Sequence, residues 1–145
     1  MPLPEPIPGL VISYDYLWTG EAKKGREEGT KARPCAIVLA RQNAFDKQVV
    51  TVVPITHTQP DKDTPAIELP PALKAHLGLD DFPSWVIVSE VNDFVWPGPD
   101  MRPVPKRDPV EFSYGVVPPG FFRKIRERLL EAVTEGKVAR VKRSQ

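Results

Sequence analysis

The sequence predicts a mainly β fold: a small, partly open β-barrel of short antiparallel strands with one amphipathic helix near the C-terminal end. Three observations carry that expectation. Proline accounts for 18 of 145 residues, about 12%, against a usual ~5%, which disfavours long helices and favours short strands joined by stiff turns. Several runs are rich in valine and isoleucine and bounded by proline or polar turn residues. Only one segment, beginning at Pro119, repeats apolar residues at helical spacing.

Residues 1–8 alternate proline with other residues, predicting an extended arm, and 9–145 read as a single domain. Leu10, Ile12, Tyr14, Tyr16 and Trp18 fall on alternate positions, the signature of a half-buried strand. Thr19 to Lys31 holds three glycines and many charges without apolar period, and predicts a long solvated loop. Cys35 to Ala40 predicts a central strand and Val49 to Val53 a second, ended by Pro54, with Asn43 to Lys47 as the hairpin between them. Ala66 to Leu69 predicts a short strand. Pro71 to Leu77, followed by Gly78, predicts a two-turn helix with a glycine cap. Trp85 to Val91 reads as one continuous strand, and Phe94 to Asp100 as a turn. In the C-terminal helix, Phe121, Phe122, Ile125, Leu129, Ala132 and Val133 share one face and Gly136 ends it. Lys137 to Val141 predicts a last short strand.

Charge and residue counts exclude several classes. Twenty Lys and Arg against 19 Asp and Glu give a net charge of +1, so neither a polybasic coat nor an acidic tail is present, and any electrostatic attraction is local. One cysteine and two histidines, at positions 35, 57 and 76, offer no internal disulfide and too few ligands for a zinc cluster. No apolar run approaches the ~18 residues that span a bilayer. The N-terminal residues lack the pattern of a signal peptide, which predicts a cytoplasmic protein with a reduced thiol. No phosphate loop or nucleophile elbow appears.

Polar residues gather where strands meet turns. Arg33 precedes Pro34, which biases it to extended backbone, so its guanidinium is either an anion clamp or a partner of nearby carbonyls and carboxylates. Pro54-Ile55-Thr56-His57-Thr58 offers two hydroxyls and an imidazole, a group that titrates near ~6.5 and suits general-base chemistry. The bland alternative is a turn capped by the threonines with a solvated His57. Glu90, with Asn92 and Asp93, closes the Trp85 strand as a further carboxylate candidate. Cys35, inside an apolar run, reads as a small core residue.

These segments together resemble the PemK/MazF family, the toxin halves of bacterial toxin–antitoxin pairs. The similarity runs from about Gly9 to Val133: a strand leading to Trp18, a charged loop, Arg33-Pro34, Pro54-Ile55-Thr56, Ser84-Trp-Val-Ile-Val-Ser-Glu90, Arg102, Gly115-Val-Val-Pro118 and the final helix. The resemblance implies an SH3-like barrel, a homodimer, an antitoxin that covers the groove, and metal-independent cleavage of single-stranded RNA by its own 2′-hydroxyl, with no cofactor. It places Arg33 as the phosphate clamp, Thr56 as a phosphate contact, His57 or Glu28 as the base, and Glu90 as a further acidic group. Trp18, Phe94 and Trp96 are then expected to stack on bases, with Lys31 and Thr58 as neighbouring nucleic-acid contacts. His57 stands where the family often has serine. A non-catalytic barrel binding RNA, DNA or a protein such as gyrase is the alternative reading.

Overall fold

In the computed structural model, which describes residues 3–25, 29 and 31–143, the chain threads eight strands and three helices in the order β1 Leu10–Tyr14, α1 Thr19–Lys23, β2 Arg33–Gln42, β3 Gln48–Thr56, β4 Ala66–Glu68, α2 Pro71–Leu77, β5 Trp85–Ile87, β6 Glu90–Val95, β7 Ser113–Val116, α3 Pro119–Thr134, β8 Ala139–Lys142. The strands form one mainly antiparallel sheet in the order β4-β5-β3-β2-β1-β7, with β6 and β8 branching from β3. The mainly β, partly open arrangement that the sequence predicts is present as an open sheet: among the described residues β4 and β7, at the two ends of the path, do not pair with each other.

The hairpin of β2 and β3 is the spine. Its turn closes where Asn43 accepts the amides of Phe45 and Lys47, and Asp46 takes a left-handed φ of 61°. Apolar residues lie on both faces of this spine, so the molecule has two cores. One gathers Val11, Ala36, Val53 and Ile55 under α2 and α3; the other gathers Ile12, Tyr14, Cys35, Ile37 and Phe94. This corrects the half-buried reading of the first strand. All five residues of β1 are buried, because Val11 feeds one core while Leu10, Ile12 and Tyr14 feed the other.

Three other expectations change. Pro54 does not end its strand: β3 runs on to Thr56. On its outer edge β3 pairs with β6 over Val49–Val52 and with β5 over Ile55–Thr56, so Pro54 lies at the changeover. A missing N–H removes no outer ladder bond there. The Trp85 segment is two strands. Continuing the register of β5 would set Ser89 opposite Val52, but Asn92 occupies that place, and the slack is taken up at Val88 and Ser89. The charged segment after Trp18 begins with the five-residue helix α1, whose Glu21 Oε1 accepts the Trp18 amide at 3.1 Å.

Other elements match their sequence signals. α2 starts on prolines and ends at Gly78, at φ 70°. α3 buries Phe121, Ile125 and Ala132. β8 runs parallel to β6 and is riveted to it by Arg140 on Asp93; Arg143, just past β8, is buried, donates its amide to the Asp93 carbonyl at 2.9 Å and reaches Asp100 at 2.9 Å and the Asp15 carbonyl at 2.7 Å. The strand β7 carried no signal beyond the resemblance. Pro6 of the N-terminal arm is buried. No helix among the described residues is long and apolar enough to cross a membrane.

Candidate functional site

Arg33 begins β2 and Thr56 ends β3. The hairpin pairs Cys35 with Pro54, and two more steps of the same register set Arg33 opposite Thr56. Both residues line two adjoining hollows. The first, about 470 Å³, is walled by Lys31, Arg33, His57, Asp80, Lys106 and Arg107 among others. The second, about 500 Å³, is walled by Trp18, Gln59, Asp61, Ser89 and Glu90, with Arg33 again on the wall. Thr58 also borders both. The first hollow is basic, with Asp80 the one carboxylate among its described lining residues. The second carries Asp61 and Glu90 against a single arginine.

The Arg33 guanidinium stacks over Trp18, 5.0 Å from the ring centre. Trp18 is held in turn by an edge contact with Tyr16 at 5.1 Å. The Arg33 Nε is buried and has no hydrogen-bond partner among the described residues. A buried donor left unpaired costs about 1–3 kcal/mol, so the fold keeps this guanidinium poised instead of satisfying it. Thr56 is 8% exposed, and its Oγ1 accepts the Thr58 amide at 3.1 Å. Among the described residues its hydroxyl hydrogen meets no acceptor and remains available to donate.

His57 follows at the rim. Its Nε2 lies 2.9 Å from Asp80 Oδ2 and 3.0 Å from Oδ1, and its ring meets Phe82 edge-on at 6.0 Å. Asp80 also accepts the Phe82 amide at 3.0 Å and Lys74 Nζ at 3.3 Å. Slight burial pushes the Asp80 carboxyl up, but the Phe82 amide, Lys74 and His57 outweigh it and hold the group below the usual carboxylate range.

Glu90 is occupied differently from expectation. Its Oε1 accepts the Thr19 amide at 2.9 Å, the Thr19 hydroxyl at 3.2 Å and the Tyr16 hydroxyl at 3.3 Å. It therefore pins the segment carrying Trp18 against β6. Glu28 lies outside the described residues. Lys31 and Thr58 are exposed beside the hollows. Phe94 is 2% exposed and stacked between Tyr14 and Trp96. It belongs to the core and presents no face to a base, and neither it nor Trp96 lines either hollow.

Asp80 and Arg107 were missed in the sequence, whereas Asn92 was singled out there beside Glu90. Arg107 donates to the carbonyls of Leu77 and Ser113 and lies over Tyr114 at 5.5 Å, joining α2 to β7 behind the basic hollow. Asn92 is fully buried and exchanges two hydrogen bonds of 2.9 Å with the Leu17 backbone. Only Gly78, a visible helix stop two residues before Asp80, hinted that a turn would bring that carboxylate back toward the Pro54 segment.

Comparison with known proteins bears on this geometry. No curated protein matches the sequence. One solved structure, described as an endoribonuclease in complex with its cognate antitoxin from a mycobacterial species, is similar in fold: it matches with a TM-score of 0.53 at 20% identity, covering 90% of this chain and 96% of that one. Residues 16–94, which hold Trp18, Arg33, Thr56, His57 and Glu90, match the family described as the PemK-like, MazF-like toxin of type II toxin–antitoxin systems. Since those 79 positions are more than half of the 145, the chain belongs to the PemK-like, MazF-like toxin family.

Proposed function

We propose that the protein is a toxin endoribonuclease that cleaves single-stranded RNA by attack of a ribose 2′-hydroxyl on the adjoining phosphate, with no metal taking part. The observation that carries the reading is the buried Arg33 Nε, unpaired among the described residues, opposite Thr56 and between two hollows. A scissile phosphate placed there receives the Arg33 fork and the Thr56 hydroxyl, donors matched to the charge that builds on a pentavalent phosphorus. The basic hollow, with Lys31, Lys106 and Arg107, suits the neighbouring backbone phosphates. The polar second hollow, beside Trp18, suits an unpaired base. Trp18 stacks and Lys31 and Thr58 flank the strand. Glu90 acts by holding the Trp18 segment and not as a proton carrier. Family membership and the antitoxin-bound fold neighbour support a cognate antitoxin as partner. The free strand edges at the ends of the sheet support a homodimer.

The test is direct. Purified protein with single-stranded RNA in EDTA is expected to yield fragments with 2′,3′-cyclic phosphate and 5′-hydroxyl ends. Intact RNA under those conditions, with cleavage restored only by a divalent cation, refutes the metal-free mechanism; intact RNA in both refutes the activity.

A further inference from the structure

We propose that Asp80 is a positioning residue that orients His57 as the general base of the cleavage step, an inference that rests on the ribonuclease reading above. An ionised carboxylate can only accept, so the close Nε2 to Asp80 contact requires that Nε2 carry the hydrogen. In the neutral ring the lone pair is then on Nδ1. This is the arrangement in which a carboxylate selects the tautomer of a histidine base and steadies the cation it becomes.

Asp80 is fit for that task because it is itself immobilised. The Phe82 amide at 3.0 Å and the buried Lys74 ammonium at 3.3 Å both donate to Oδ1 of that carboxylate, while His57 also reaches Oδ2 at 2.9 Å. A surface ion pair between two loose side chains contributes little; a carboxylate fixed by a backbone amide and a buried cation is a rigid anchor. The His57 side chain nevertheless stays 55% exposed, so a bound strand can reach it. Thr56, the preceding residue, ties the imidazole to the wall that carries Arg33.

The step balances without a further reactant. The 2′-hydroxyl proton passes to His57 Nδ1 while its oxygen forms a bond to phosphorus. The bond from phosphorus to the 5′-oxygen breaks, its electron pair leaves on that oxygen, and the oxygen takes a proton from water. The histidinium then returns its proton to the hydroxide so formed.

Single-turnover cleavage of a short single-stranded RNA tests the assignment. H57A is expected to lose at least ~100-fold in kcat, within the range of general-base removal, and to regain activity with added imidazole. D80N should lose at least ~10-fold in kcat, the direction of the ~10⁴-fold loss when an Asp orienting a histidine base becomes Asn, with KM within about twofold. In the H57A background D80N should cost nothing further, because Asp80 acts only through His57. If D80N folds poorly through the stranded Lys74, the D80N/K74M pair removes both charges and is read the same way. Wild-type kcat in H57A, a D80N loss confined to KM, or full additivity of the two substitutions overturns the dyad. If R33A is inactive while H57A and D80N are not, the dyad alone fails; if the wild-type protein leaves RNA intact, the ribonuclease reading fails first.

Discussion

Arg33 concentrates the physical tension of the molecule. Its guanidinium gains from the face of Trp18, about 0.5–1 kcal/mol at a partly exposed site, yet among the described residues its Nε goes without a partner. Removing the side chain therefore removes a small attraction and a comparable penalty, and R33A is expected to melt within a few degrees of wild type. Its rate on RNA should fall at least ~100-fold, the usual cost of losing one donor to transition-state charge. R33K keeps the charge but not the planar fork and should recover little of that rate. RNA affinity falls far less in both, since binding is spread over several phosphates. Comparing single-turnover rates, binding titrations and melting curves of the three proteins checks this. A large drop in melting temperature for R33A would instead make Arg33 a structural residue. That Arg33 and Thr56 would lie at one end of the hairpin was within reach of the sequence, but that they face one another was not: the register at the turn, Gln42 opposite Gln48, would set Arg33 opposite His57, and a bulge between Ile37 and Leu39 shifts it by one. That Glu90 would be consumed by Thr19 and Tyr16 was not within reach either, because those contacts cross more than 70 residues of chain.

Elements with local causes were legible, and those with partners far along the chain were not. The helix α2 announced itself through prolines at its start and glycine at its end. The division of β5 from β6 did not, because it arises from two segments competing for one edge of β3. Pro54 misled for the same reason: its cost depends on which neighbour is being exchanged at that point. The cap of α2 has a consequence for the site. Gly78 adopts φ 70°, and a Cβ there would meet Arg107 Nη2 at 2.9 Å. G78A should therefore cost about 1–2 kcal/mol from the left-handed backbone alone. It should also push Arg107 off the Leu77 carbonyl. Denaturant unfolding is expected to show the stability loss. RNA affinity should drop as well, since Arg107 lines the basic hollow. Unchanged affinity in a destabilised G78A would place the RNA path away from Arg107.

At the scale of the whole molecule, the two cores make stability depend on keeping phenols and a thiol neutral. The chain has three tyrosines and one cysteine. Burial pushes the Tyr14 and Tyr16 phenols far up, with the Arg143 cation opposing at Tyr14 and the Glu90 carboxylate reinforcing at Tyr16. Burial raises the Cys35 thiol as well, against the pull of Arg33, and raises half-buried Tyr114. In each case the folded value lies above the unfolded one. The folded state thus holds protons that the unfolded chain releases above about pH 8.5 for cysteine and about 10 for tyrosine. The stability contributed is complete below those values and falls as pH rises through them. Alkaline titration should show this as two steps in tyrosinate absorbance. Tyr114, the most accessible of the three, should ionise first and above the free-tyrosine midpoint, giving about one third of the amplitude while circular dichroism is unchanged. The remaining two thirds, from Tyr14 and Tyr16, should appear only together with the loss of the dichroism signal, because neither phenol can ionise until the sheet opens. Y16F should remove half of that second step, and, since it spares Glu90 the hydrogen bond at 3.3 Å but leaves both Thr19 contacts, it should leave the first step in place. Three tyrosines titrating together near pH 10 with the dichroism intact would contradict the packing of both phenols in the second core.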